Sequence, residues 1–169
     1  MINYINDDLF NHITPNTIIP HVVNCKGKMG SGFALALFQR FPQVREKYLD
    51  WFNDNKHIDD NPFRLGAVQY IKIGEDVWVA NMVAQTLGGD RPLYYNHLAR
   101  CMDEVAFAAM ENVDFGVEMT GKPNKKILAP AFGSLRAGGN WSFIEELIKD
   151  SWIRRGLDVT ICIHNGEKT

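Results

Sequence analysis

The chain has 169 residues, 46% of them apolar, and its 18 Lys and Arg against 20 Asp and Glu leave a formal net charge of -2. That length suits one domain, expected over 1–169, and is enough to bury roughly two thirds of the surface the unfolded chain exposes. A charge near zero gives no global reason to grip bare nucleic acid. Three scattered cysteines (Cys25, Cys101, Cys162) without a CxxC pair argue against a disulfide framework or a zinc site and for a reducing compartment.

The first ten residues lack the basic start and apolar centre of a signal peptide, and no apolar run approaches the ~20 residues of a membrane span. A soluble cytoplasmic protein without membrane partners is expected. Residues 1–5 read as a short strand and 17–23 as a second, buried one, with Thr14-Pro15-Asn16 turning between them. A turn carrying Gly27, Gly30 and Gly32 follows and opens a helix over 33–40. The pair Phe41-Pro42 ends that helix, and 44–53 continues as another with Val44, Tyr48, Trp51 and Phe52 on one side.

Residues 67–73 and 77–82 are adjacent strands joined by a tight turn at Gly74-Glu75-Asp76. Helical spacing then runs over 94–112, with Leu98, Met102, Val105 and Ala109 forming the buried stripe. Residues 114–124 carry Gly116, Gly121 and Pro123 and read as an irregular excursion. A strand over 126–130 leads into a second glycine turn, 133–139, and then a helix over 141–152 capped by Asn140 or Ser142. A last strand covers 157–163. Alternating strands and helices predict a three-layer α/β/α fold with a mixed central sheet.

Two glycine turns, each between a strand and a helix, suit a ligand with two phosphates, because backbone N–H groups at a helix start cradle anions. The first turn is not a Walker A loop, since Phe33 and Ala34 stand where lysine and serine or threonine are needed. A Rossmann fingerprint at the first strand is also missing. His12, His57, His97 and His164 show no metal-like pairing and read as surface or core residues; Tyr94, Tyr95 and Trp141 read as ligand-stacking or core aromatics, packing being the commoner use.

The segments Tyr4-Ile5-Asn6-Asp7-Asp8-Leu9-Phe10, Val23-Asn24-Cys25-Lys26-Gly27-Lys28-Met29-Gly30-Ser31-Gly32-Phe33 and Pro130-Ala131-Phe132-Gly133-Ser134-Leu135-Arg136-Ala137-Gly138-Gly139-Asn140-Trp141 together resemble the macro domain family, which binds ADP-ribose. The branches that look similar are the yeast-type ADP-ribose 1''-phosphate phosphatases, small phage and bacterial macro proteins, and enzymes that remove ADP-ribose from acidic side chains or DNA. The resemblance implies ADP-ribose or ADP-ribose 1''-phosphate as ligand, ADP-ribosylated macromolecules as further partners, and no metal or cofactor. Asp8, with Leu9 beside it, would accept from the adenine amino group, or simply be a solvated turn residue. Asn24 would lie near the distal ribose, or simply cap a turn. Lys28, Met29, Gly30, Ser31, Gly32 and Phe33 would follow one phosphate. Phe132, Gly133, Ser134, Leu135, Arg136 and Ala137 would follow the other phosphate and the distal ribose.

The same resemblance makes His21 a catalytic proton carrier, as its ordinary pKa of about 6.5 permits, with Asp90 orienting it or a water. Read from residues alone, His21 is more simply a hydrogen-bonded histidine inside a strand, and Asp90 a turn residue. The chain departs from the family's lysine-dependent hydrolases: no lysine lies between Ile73 and Arg91, and Arg136-Ala137-Gly138 replaces the second-loop aspartate. The segment Val-Asn-Ala-Ala-Asn is also absent, because Lys26 and Gly27 follow Cys25. A phosphatase is the leading expectation, with a hydrolase of ADP-ribosylated macromolecules and a non-catalytic reader as alternatives.

Overall fold

The apolar run Thr17-Ile18-Ile19-Pro20-His21-Val22-Val23-Asn24 is buried at all but one position, as a strand covered on both faces must be. In the computed structural model, which describes residues 1–110 and 125–164, it forms β2 (Thr17–Asn24). It pairs in parallel with β4 (Val77–Gln85) from Thr17↔Val77 to Asn24↔Gln85, with a bulge before Asn24. Antiparallel to β4 runs β3 (Val68–Gly74), joined to it by a turn in which Asp76 takes a φ of 52°, a left-handed value that aspartate tolerates better than most residues. The remaining strands are β5 (Lys126–Pro130), β6 (Val159–Cys162) and β1 (Ile2–Ile5), and the sheet order is β1-β6-β5-β2-β4-β3. All pairs but β3–β4 are parallel, so the sheet is mixed as expected.

Helix α1 (Gly32–Arg40) and helix α2 (Pro42–Asn55) cover one face, with a 3-10 turn over Leu9–His12. Pro42 fits the first turn of α2, where its missing N–H has no partner to lose. Leu37, Val44 and Tyr48 pack there with Ile19, Val23, Val79 and Val83. On the opposite face α3 (Tyr95–Met110) and α4 (Trp141–Ile148) set Leu98, Met102, Val105 and Ile144 against Ile18, Ala80, Met82 and Ile127. Each large aliphatic buried this way contributes roughly 1.5–3 kcal/mol. The three layers follow from this division of apolar residues between alternate positions of the same strands.

Several boundaries differ from expectation. β4 runs past 82 to Gln85 because its parallel pairing with β2 continues. The last helix is α-helical only to Ile148 and then widens into a π turn over Lys149–Ile153, which seats Trp152 so that its Nε1 donates to the Met102 carbonyl at 2.8 Å. Asn140, not Ser142, caps α4, its Oδ1 accepting from Phe143 N at 3.2 Å. The 114–124 excursion and the end of the helix expected to 112 lie outside the described residues.

Pairing between β2 and β5 is brief: Thr17↔Lys126 and Ile18↔Ile127 are in register, and the strands then part. Pro20, with no N–H to donate, stands just past the last pair. The opening between the carboxyl ends of these two strands is where the cleft begins.

Candidate functional site

From β2 the chain moves outward to β3 and β4, and from β5 it moves the other way to β6, so the β2/β5 boundary is a topological switch point. Open α/β sheets hold ligands at such points, outside the carboxyl ends of the strands. Here a cavity of about 190 Å³ is lined by His21 and Val22 of β2, residues 31–34 at the start of α1, Gln85 at the end of β4, and residues 130–137 after β5. A second cavity of about 290 Å³ shares Gly32, Phe33 and Pro130 with the first and adds Asp7, Asp8, Leu9, Phe10, Ala36, Cys162 and His164. Together they form one cleft of a size usual for small ligands.

The first loop is folded by Asn24. Its Oδ1 accepts from Lys26 N at 3.0 Å and Lys28 N at 3.2 Å, its Nδ2 donates to Lys28 O at 2.5 Å, and the Tyr48 hydroxyl donates to Asn24 O at 2.7 Å. The side chain is buried, folds the turn as the capping alternative expects, and does not line the cleft. Gly27 likewise faces away: at φ 68° it lies against the Phe52 ring, where a β-carbon would collide. Lys28, Met29 and Gly30 are not among the lining residues either, and Met29 is buried in the core. Ser31, Gly32, Phe33 and Ala34 are, and Ser31 makes no side-chain cap, so the first N–H groups of α1 remain available to an anion.

The second loop is tied to its surroundings. Ser134 Oγ donates to Ala131 O at 2.8 Å, Gly139 N to Gly133 O at 2.9 Å, and Leu93 N to Ala137 O at 3.2 Å. Gly138, at φ 72°, packs on the main-chain oxygen of Asp90, a place no side chain can share. Leu135 holds a left-handed φ of 54° with its side chain exposed at the lip. A leucine in that region is strained, and the loop's hydrogen bonds maintain it. All six residues expected here, Phe132, Gly133, Ser134, Leu135, Arg136 and Ala137, line the cavity.

His21 is buried, 3% exposed, on the α1/α2 face of the sheet, and lines the same cavity. Its Nε2 meets Asn81 Oδ1 at 2.5 Å. Burial lowers its pKa to about 4, against a smaller raising effect of the Asn81 hydrogen bond, so the ring is neutral near pH 7. Asp90, expected to orient His21 or a water, is exposed on the β4–α3 loop and does not line the cavity, and the side chain that meets His21 is that of Asn81. Parallel register explains this, since Asn81 stands directly opposite His21 on β4.

Asp8 and Leu9 both line the second cavity. Asp8 Oδ1 caps the 3-10 turn, accepting from Phe10 N at 3.0 Å, while Oδ2 lies 3.8 Å from the Arg40 guanidinium. Arg40 in turn covers the Phe10 ring at 4.4 Å. Sequence reasoning missed Asn81, Gln85 and His164. A polar residue interrupting the apolar run of β4 was the available signal for Asn81; nothing local marks the other two. Trp141 packs on Phe132 and donates to the Tyr4 hydroxyl, and Tyr95 Oη accepts from Asn140 N, so both serve packing. Among the described residues no group of three or more His, Cys, Asp or Glu side chains is placed to hold a metal, and no helix is long and apolar enough to cross a membrane.

A mixed six-stranded sheet between helical layers, with two glycine turns facing each other at its switch point, is the architecture of a macrodomain. The macrodomain protein of Streptomyces coelicolor is 32% identical, superposes with a TM-score of 0.76, and is matched over 96% of this chain and 98% of its own. The chain belongs to the macrodomain family. A Bacteroides thetaiotaomicron protein of unknown function is 28% identical over 96% of this chain and 98% of its own, with a TM-score of 0.80. Thermosipho africanus DarTG, solved in complex with ADP-ribose, shares the fold at 17% identity and a TM-score of 0.70, covering 96% of this chain and 41% of its own. Among curated proteins, the ADP-ribose 1''-phosphate phosphatases of Meyerozyma guilliermondii and Candida albicans are each 33% identical over 72 residues. Those matches cover 42% and 41% of this chain and 40% and 46% of the yeast proteins, less than half their length. No protein-family model matches the chain.

Proposed function

We propose that the protein binds ADP-ribose and hydrolyses ADP-ribose 1''-phosphate to ADP-ribose and inorganic phosphate. The observation that carries this reading is a neutral imidazole, His21, on the wall of the cavity that also receives the start of α1 and the second glycine loop. The name of the yeast relatives and the ADP-ribose held by the Thermosipho protein support it. In this reading Asp8 accepts from the adenine amino group in the second cavity. The diphosphate crosses at Gly32 and Phe33, which both cavities share, and the distal ribose with its 1''-phosphate lies against residues 132–137 and His21.

Water attacks the 1''-phosphorus, His21 takes a proton from that water, and the bond from phosphorus to the 1''-oxygen breaks as the leaving oxygen gains a proton from solvent. A base held near 4 is weak, so positioning by the loops and charge stabilisation by the N–H groups at α1 supply most of the rate. The Asp90 side chain has no part in this scheme. Its main chain supports the second loop at Gly138.

Calorimetric titration with ADP-ribose, run beside phosphate release from ADP-ribose 1''-phosphate, tests the reading. His21→Ala is expected to lower release roughly 100-fold or more while binding stays within a few-fold. Absence of ADP-ribose binding would sink it. Binding without phosphate release would favour a reader module, or a hydrolase of ADP-ribosylated protein or nucleic acid; that an amide, Asn81, stands on His21 Nε2 is the observation that speaks for the reader.

A further inference from the structure

Asn81 is fully buried in the middle of β4 and faces His21 across the parallel register. Its Nδ2 donates to Gln69 Oε1 at 3.1 Å, and Gln69 Nε2 donates to the main-chain oxygen of Lys47 in α2 at 2.9 Å. The direction of this chain of bonds is set at its outer end. A main-chain oxygen has no proton, so the Gln69 atom beside Lys47 O is the amide nitrogen. Gln69 therefore turns its oxygen to Asn81, Asn81 answers with its NH2, and the Asn81 oxygen is left facing His21 Nε2 at 2.5 Å. An oxygen there requires the proton on Nε2.

We propose that the relay from the Lys47 carbonyl through Gln69 and Asn81 locks His21 in the tautomer protonated at Nε2, leaving Nδ1 with the lone pair offered to the cavity. Asn81 and Gln69 are then positioning residues of this site. Nδ1 makes no hydrogen bond among the described residues. The ring itself lines the cavity between the start of α1 and the second glycine loop. The catalytic consequence rests on the proposed role of His21; the tautomer does not.

Long-range proton–nitrogen NMR spectra of the ligand-free protein, with the His21 signals assigned by their loss in His21→Ala, read the tautomer directly. Nε2 is expected to carry a slowly exchanging proton and Nδ1 none. Asn81→Leu is expected to abolish the slow proton, mix the tautomers and lower kcat for phosphate release by roughly tenfold or more with KM changed by less than about twofold. Gln69→Leu, at the half-buried end of the relay, is expected to give a smaller loss of the same kind. A proton on Nδ1 in the natural protein, or a slow Nε2 proton that survives Asn81→Leu, overturns the inference. Failure to bind ADP-ribose or to release phosphate would instead strike the functional reading and leave the spectra to decide the tautomer.

Discussion

The rings of Phe33 and His21 meet in a T, centroids 5.7 Å apart at 67°, and Phe33 lies flat on Phe10 at 5.9 Å and 8°. Phe33 thereby covers part of the imidazole and stands where the two cavities adjoin. Phe33→Ala should admit water to the ring and raise the His21 pKa from about 4 toward the ordinary value near 6.5. An NMR titration of the His21 ring protons measures this, and an unmoved pKa would mean that the strand packing, not Phe33, desolvates the ring.

Stability should depend on pH through the same group. The folded-state pKa of His21 lies below its unfolded value, so the unfolded chain binds the extra proton and stability falls as pH drops from about 6.5 toward about 4. The loss approaches about 3 kcal/mol at most across that window. Urea unfolding of the natural protein and of His21→Gln, compared at several pH values, should show a shallower slope in the variant. Parallel curves would assign the acid sensitivity to other groups.

Asn24→Ala should weaken folding as well as ligand binding, because it strips the Lys26 and Lys28 backbone groups of their partner. A cost of about 1–3 kcal/mol is expected from lost and unsatisfied hydrogen bonds. Thermal unfolding alone reads it. A variant as stable as the natural protein but unable to bind ADP-ribose would restore the direct ribose contact.

Asp8→Asn keeps an oxygen for the Phe10 N–H and replaces the other carboxylate oxygen with a donor. Affinity for ADP-ribose is expected to fall roughly tenfold or more, in line with a hydrogen bond to a charged group. The hypoxanthine analogue, which lacks the amino group, should lose little. Equal losses for both ligands would remove Asp8 from recognition of the base.

Most of the fold was legible because its signals are local. The apolar run of β2, the Gly74-Glu75-Asp76 turn, Pro42 at the start of α2 and Asn140 before α4 each act within a few residues of themselves. The second glycine loop was legible for the same reason, and all six of its expected residues line the cleft. The first loop left two uses open at Asn24 and Gly27, since a glycine or asparagine beside a turn serves the turn's own backbone as readily as a ligand. Asp90 stands on an exposed loop, and nearness in the family pattern says nothing of which way such a loop turns its side chain.

By itself the sequence determined the strands, the helices, the two glycine turns and a neutral-to-acidic protein with its apolar residues divided between two faces, because periodicity and turn chemistry are short-range. Tertiary structure alone decided that β2 and β5 part after Ile18, that Gln85 and His164 reach the cleft, and that Asn81, 60 positions away, takes the hydrogen bond of His21. Those outcomes depend on parallel register and strand order, which join distant segments across the sheet and leave no pattern in either segment read alone.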